Sequence, residues 1–508
     1  MSAPYIRLHR MRRNTMASYP NSSVALPVPP GASGAEILLT RAHYTKCFRS
    51  PGFPVGVALI ASFLESQGVS VRVLDLAVQK NWRTALKDEM ERNAPKVVGI
   101  SLQITQYEEA IQIARFVKSN YPETKVVFGG SFPSSAPEEC LNNPEIDVVC
   151  CSEGEWTMLH LIQTWERGSE LGTIDGIAFR GKDGSIIQTP RRELIENLDQ
   201  MPLAAYHLLD LEPYINADHT SDFTNRKNRC MELITSRGCP YHCIFCHSFF
   251  GKKFRGRSPQ HVVDEILLLH NKYKVSEFVI WDDTFTMDIQ RAKDICDLII
   301  QSGIKITIQL RGGVRVEQMD EELMAKLKEA GVETMCVGIE SAVWRIQKMI
   351  KKNLKIEKVD RLLSLASKYK ITTIGLMMMG FPGEKIAEIK ENIRWASNSL
   401  LDYTFFSIVT PFPSTELYDI AVREGYYQKN KDYKRMNVMT PHMEIPELPS
   451  GLIKWLQMQA YLRFYLKPRR LRKLFTSAYR IKTFIGSIFD YIGIAFTYYG
   501  RKLRNQTN

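Results

Sequence analysis

Twice along the chain, short runs of β-branched residues alternate with longer amphipathic stretches, and few architectures accommodate that rhythm. From about residue 22 to 166 the runs are SVALPVP (23–29), VSVRVLD (69–75), KVVGISL (96–102), KVVFGG (125–130) and IDVVCCSEGE (146–155). Between them lie helical stretches such as PVGVALIASFLESQG (54–68) and YEEAIQIARFVKSNY (107–121). The pattern predicts an α/β, Rossmann-like domain of five parallel strands with crossover helices. In open sheets of this kind ligands sit beyond the carboxyl ends of the strands. Those ends carry Ser101, Gly129 and Gly130, and the run Ser152, Glu153, Gly154 and Glu155. Side chains this small let a large flat ligand approach the backbone. A second series begins at 231, with runs MELITS (231–236), EFVIW (277–281), KITIQL (305–310), TMCVGIE (334–340), TTIGLMMMG (372–380) and FFSIVTP (405–411). Six βα units predict a partial (β/α)6 TIM-type barrel with its chemistry at the strand carboxyl ends. Ser258 and Pro259 mark one helix start, as cap and first helical residue. Residues 167–230 read as a linker holding a hairpin (176–190) turned at Asp183-Gly184.

At 508 residues, 44% of them apolar, the chain can bury more than one core. Its ten cysteines are not spaced as a disulfide framework and no apolar signal segment precedes the first domain, so a reducing cytoplasm is the expected compartment and free thiols are available as ligands. The net charge of +12 is concentrated at the ends: residues 1–20 hold Arg7, Arg10, Arg12 and Arg13 without an acid, and residues 461–508 hold eleven Lys or Arg against Asp490 alone. A near-neutral body with basic ends argues against a nucleic-acid partner and for a docked or membrane-facing tail. Residues 463–504 interleave basic side chains with Phe, Tyr, Leu and Ile, and the most apolar run, 483–499, has Asp490 near its middle. That run is too short and too polar to span a bilayer, so peripheral contact at the inner face of the membrane is expected. The domain plan is a basic arm (1–21), the Rossmann-like domain (22–166), the linker (167–230), the barrel (231–425) and a helical region with the basic tail (426–508). Residues 1–15 are expected to be dispensable.

Three of the ten cysteines fall within eight residues, in SRGCPYHCIFCHSFF (236–250), directly after the first strand of the second series. A structural zinc site closes with four ligands, normally in two pairs. Here Cys239, Cys243 and Cys246 have no second pair, and His242 and His247 neighbour the cysteines too closely to join them without straining the loop. Three thiolates on one short loop can instead hold three irons of a 4Fe-4S cubane and leave the fourth iron open.

The C-x3-C-x2-C spacing, with Phe245 beside the third cysteine, WDDTF (281–285) ending strand two, VGIES (337–341) ending strand four, GFPGE (380–384) after strand five and TPFPSTELY (410–418) after strand six, resembles the radical S-adenosylmethionine (SAM) superfamily. Together with the N-terminal sheet it is similar to the members with a cobalamin-binding domain, which include the anaerobic magnesium-protoporphyrin ester cyclase, P-methylase and hopanoid methylase types. The resemblance spans about 22–425. It implies a 4Fe-4S cluster on Cys239, Cys243 and Cys246 and S-adenosyl-L-methionine at the open iron. It also implies that Asp282 and Asp283 receive the methionine ammonium, that Glu340 bonds the ribose with Ser341 alongside, that Phe245 contacts the adenine, and that Gly380 and Gly383 shape the SAM site. Cobalamin is implied at the strand ends of the first domain, although none of the ten histidines stands in the D-x-H-x-x-G pattern that supplies an axial ligand elsewhere.

The implied reaction is reductive cleavage of SAM to a 5'-deoxyadenosyl radical and methylation of an unactivated carbon of a small or lipid-like substrate, fed by a one-electron donor such as flavodoxin or ferredoxin. The alternative is cyclisation or oxidative rearrangement without net methyl transfer. A methylthiotransferase would need further cluster cysteines, and Cys47, Cys140, Cys150 and Cys151 lack the spacing. A non-catalytic iron-sulfur electron carrier would need only the three cysteines and a fourth ligand, and leaves the SAM-side motifs without a purpose. No motif names the substrate, and no residue is singled out as a catalytic acid or base.

Overall fold

The computed structural model of the chain describes residues 36–43, 52–216, 229–247, 249–427, 433 and 436–475. The first domain is built on β1 (Ile37–Arg41), β2 (Val71–Asp75), β3 (Val97–Ser101), β4 (Lys125–Gly129) and β5 (Val148–Cys150), with β6 (Ile177–Arg180) and β7 (Ile186–Gln188) completing the sheet in the order β2-β1-β3-β4-β5-β6-β7. The first five strands are parallel and the last two antiparallel. The anticipated strand at 23–29 lies outside the described residues. The strand that sits between β2 and β3 is ILLTR, all five residues buried, and its Leu-rich composition carries little β signal by itself. The hairpin turns at Gly184, in the left-handed region, but it belongs to the sheet rather than to a linker. It pairs Val148 with Phe179 and Cys150 with Ile177, and so covers backbone groups that an edge strand would leave open.

The rest of the expected linker is a strap between the domains. Tyr206 stacks on Phe53 at 5.2 Å and donates to Glu265 Oε1 of the barrel at 2.8 Å. Tyr214 donates to Asp75 Oδ2 at 2.6 Å, on the same carboxylate that the buried Arg41 holds in a two-pronged pair. Phe53, Ala58, Tyr206 and Tyr214 share one apolar core with the barrel strands.

The second domain is a six-stranded, all-parallel open barrel, β8 (Cys230–Leu233), β11 (Glu277–Ile280), β12 (Thr307–Leu310), β13 (Val332–Glu340), β14 (Thr372–Met379) and β15 (Tyr403–Ile408), in the order β15-β14-β13-β12-β11-β8. A two-residue ribbon, β9 (Ser236–Arg237) with β10 (Arg255–Gly256), brackets the cysteine loop. The helix Pro259–Tyr273 starts where the sequence marks it, with Ser258 Oγ accepting from His261 N at 3.2 Å. It buries Val262, Val263, Ile266 and Leu269, a single stripe at helical spacing.

An open barrel leaves β15 with a free edge, and the helix Ser450–Tyr465 closes it with side chains. Gln457 donates to Phe406 O at 2.6 Å, Tyr461 OH accepts from Phe406 N at 3.1 Å, and Tyr465 OH accepts from Thr404 N and donates to Thr404 O. Three polar side chains thus satisfy backbone groups that a seventh strand would otherwise pair. In the following helix, Pro468–Phe475, the first part of the basic stretch that begins at 463 is docked on the protein. Phe464, Tyr465 and Arg470 are buried. The Arg470 guanidinium lies 3.6 Å over the Phe464 ring and donates to the carbonyls of Ala396, Ser397, Ser399 and Leu401. A cation here caps the carboxyl end of the helix Ile386–Asn398. The remainder of the expected tail, 476–508, and the basic arm, 1–21, lie outside the described residues. No helix among the described residues is long and apolar enough to cross a membrane.

Candidate functional site

The cysteine loop is fixed before any cofactor is considered. Gly238 has φ +83°, and a Cβ there would fall 2.2 Å from Lys253 O, so only glycine turns the chain from β9 into Cys239. Ile244, between the second and third cysteines, is buried. Its N–H donates to Ile350 O at 3.2 Å and its carbonyl accepts from Leu417 N at 2.8 Å. Tyr241 lies under the Arg315 guanidinium at 3.6 Å, and its carbonyl accepts from Lys252 Nζ. The three cysteines are free thiols. Burial raises the Cys243 thiol; Lys352 opposes the rise, while Glu340 and Cys239 add to it. Neighbouring thiols ionise together only against a cation. Among the described residues no three His, Cys, Asp or Glu side chains converge on a single ion. Three free thiols on one short loop fit the open-iron cluster.

The strand ends around the loop divide the expected SAM residues. Asp282 is buried and accepts three hydrogen bonds, Oδ1 from Thr235 N at 2.6 Å and Oδ2 from Thr235 Oγ1 and Ser236 Oγ. These bonds tie it into the wall that carries the loop, where it is almost wholly covered. Asp283 is exposed, with Oδ2 accepting from Gly238 N at 3.1 Å, so the pair separates into one structural and one available carboxylate. Glu340 follows an irregularity in the pairing of β13, has φ +61°, and accepts from Lys352 Nζ at 2.8 Å. Ser341 is fully buried and its Oγ accepts from Val343 N, which makes it an internal cap. Phe245 is half-buried, its ring 6.0 Å from that of Phe381.

Gly380 and Gly383, with φ +92° and +75°, shape a turn that ends at Glu384, the last residue of GFPGE. Glu384 is buried, and its Oε2 accepts from Gly380 N at 2.7 Å and Phe381 N at 3.1 Å. Its Oε1 is buried without a partner, and burial pushes its carboxyl up to about 7. A carboxyl raised in the folded state stabilises fully below its unfolded value and loses that contribution as pH rises through the folded one. Unfolding free energy measured from pH 5 to pH 8 should fall by roughly 2–3 kcal/mol more for the wild type than for Glu384→Gln. Parallel pH profiles for the two proteins would refute the assignment.

At the first domain the structure brings together Ser101, Gly129, Gly130 and Ser152. Gly130 has φ +98° with a Cβ position 2.7 Å from Leu102 O. A Cβ at Gly129 would meet only Cys150 Cβ, at 3.9 Å. Ser134 Oγ donates to Gly130 O and accepts from Ser152 N, and Ser152 Oγ donates to Phe249 O of the barrel at 2.6 Å. This rim of small side chains, open at Gly129, fits a flat cofactor approaching the backbone. His247, next to Cys246, faces it: its Nδ1 is 3.4 Å from Ser135 Oγ, and its ring is 5.7 Å from Phe412.

Glu153, Gly154 and Glu155 leave the rim, contrary to expectation. A Cβ at Gly154 would fall 2.7 Å from Ile60 Cδ1, so that glycine serves helix packing. Glu153 pairs with Arg237 at 3.0 Å and Arg255 at 2.9 Å, and Glu155 pairs with Arg237 at 2.6 Å, all four side chains buried. Two carboxylates at the strand end of one domain thus grip two arginines flanking the cysteine loop of the other.

An open six-stranded βα barrel with a three-cysteine loop after its first strand, docked on a parallel-sheet domain, defines the radical SAM class of enzyme with an added cofactor domain. Residues 233–396 match the radical SAM superfamily and residues 43–162 the B12-binding domain. The chain is 31% identical to an uncharacterized methyltransferase of Pyrococcus horikoshii over 83% of this chain and 90% of that one. It is 28% identical to the cytidylyl-2-hydroxyethylphosphonate methyltransferase of Streptomyces wedmorensis, over 78% and 83% of the two chains. The fold matches, at TM-score 0.68 and 18% identity over 86% of this chain and 90% of that one, the radical SAM methyltransferase TsrM of Kitasatospora setae with cobalamin and a 4Fe-4S cluster bound. The chain belongs to the radical SAM superfamily, in its branch with a B12-binding domain, and its cofactors are SAM, a 4Fe-4S cluster and cobalamin.

Proposed function

We propose that this enzyme methylates an unactivated carbon of a small or lipid-like substrate. The seam between Ser152 and Phe249, bolted by Glu153, Glu155, Arg237 and Arg255, supports the reading, because it holds the small-residue rim of the first domain against the cysteine loop of the second. When bound, the cluster and SAM supply hydrogen abstraction, and cobalamin supplies a methyl carrier. Asp283 would receive the methionine ammonium, with Asp282 fixing the strand end behind it. Glu340, oriented by Lys352, would bond the ribose hydroxyls, and Phe245 would contact the adenine. Cys239, Cys243 and Cys246 would hold the cluster, and an external one-electron donor such as flavodoxin or ferredoxin would reduce it.

The test is anaerobic incubation of the reconstituted protein with reductant, SAM, cobalamin and candidate substrates. Formation of 5'-deoxyadenosine together with a product one methylene unit heavier than its substrate is expected. A product of unchanged carbon count would replace methylation with the cyclase-type reaction. Asp283→Ala should lower turnover mainly through a raised KM for SAM, since the carboxylate is assigned to binding rather than to the reacting carbon. An unchanged KM would remove Asp283 from the site.

A further inference from the structure

The helix Ser450–Tyr465 is apolar on two opposite faces. One buries Ile453, Leu456, Ala460 and Phe464 on the barrel. The other exposes Trp455 (46%), Met458 (42%), Leu462 (49%) and, at the C-cap, Leu466 (61%). Steps of three, four and four residues set these side chains along one line of the helix. A helix that lies on a protein surface ordinarily turns charged and polar residues outward there, and one apolar all round is ordinarily buried. This helix does neither.

We propose that this outer face docks on an anionic bilayer surface. Charge complementarity selects the occupant: Arg463, Lys467, Arg469 and Arg472 are exposed beside the stripe, and no acid occurs between 450 and 475. Residues 450–508 as a whole carry twelve Lys or Arg against Asp490 alone. Arg469 also lies 3.8 Å from Asp402 Oδ1, which leaves Arg463, Lys467 and Arg472 as the cations without an acid partner among the described residues. An indole with Met and Leu, on a segment whose own charges are all positive, matches the boundary between acyl chains and anionic headgroups, where the apolar side chains leave water and the basic ones stay among the phosphates. The docking face is thus placed on a helix whose opposite side closes the barrel edge.

The test is sedimentation of the full-length protein with vesicles of equal parts phosphatidylcholine and phosphatidylglycerol at low salt. Binding is expected, weakened by salt and lost on pure phosphatidylcholine. The triple variant Trp455→Gln, Leu462→Gln, Leu466→Gln should bind at least about tenfold more weakly while unfolding at the wild-type temperature, because all three side chains are exposed. Wild-type protein left in the supernatant on the mixed vesicles would overturn the proposal. So would a variant that binds as well as the wild type, which would assign binding to the basic tail alone. A variant that loses thermal stability would overturn it as well, since the face would then be covered by the protein's own chain.

Discussion

Alanine at Cys239, Cys243 and Cys246 together is expected to give a folded protein that, after anaerobic incubation with iron and sulfide, holds no cluster, where the parent holds about four iron atoms per chain. The loop does not depend on its thiols for shape. Ile244 is seated in the barrel core, and its backbone is bonded to Ile350 and Leu417 on two different elements. Gly238 and the β9–β10 ribbon set the entry to the loop. The variant should therefore unfold close to the parent's apo form, and the loss should fall on iron and sulfide content and on visible absorbance. With no other cysteine spaced to substitute, single replacements should reduce the yield of intact cluster severely as well. A triple variant retaining the parent's absorbance would disprove the ligand set.

Replacing Arg237 by Met should be the most damaging change outside the cysteines, costing about 3–5 kcal/mol of unfolding free energy in urea. Arg237 has almost no exposure, and it bridges Glu153 and Glu155, which are equally buried. Removing the guanidinium strands a carboxylate on Glu155 and leaves Glu153 with Arg255 and the Ile195 N–H. Most of the cost is the penalty of an uncompensated buried charge, so adding Glu155→Gln to the variant should restore a substantial part of it. The same change should weaken retention of corrinoid during purification, because the seam between the rim and the cysteine loop loses its anchor two residues before Cys239. A loss below about 1 kcal/mol would show that the ion network is incidental to the domain junction.

Much of the architecture could be read from short stretches of chain. All six barrel strands fall on the runs that period and β-branching mark, and the helix cap at Ser258 and the turn at Asp183-Gly184 stand where local chemistry puts them. The spacing of Cys239, Cys243 and Cys246 on one loop is likewise a local property. Each of these signals rests on residues within a few positions of one another, where backbone geometry and side-chain period leave little choice. The strand Ile37–Arg41 escaped the reading because its place between two parallel neighbours, not its own composition, makes it extended.

What only the tertiary structure decided is which partner each polar side chain meets. Asp282 and Asp283 are adjacent and chemically identical, but they point to opposite sides at the end of β11, so one is consumed by Thr235 and Ser236 and the other faces the cysteine loop. Glu153 and Glu155 sit at a strand end beside small residues, as a cofactor rim would require, and were claimed by two arginines more than eighty residues away. Arg470 is one of the tail's basic residues in the sequence, with nothing local to set it apart, and it is buried on the end of a helix some seventy residues earlier. The sequence by itself determined the barrel strands, the turns and the cysteine spacing, because these follow from neighbouring residues. The assignment of carboxylates and guanidinium groups to cofactor, wall or domain junction came from the fold, because a buried charge takes whichever opposite charge or carbonyl the packing brings within reach.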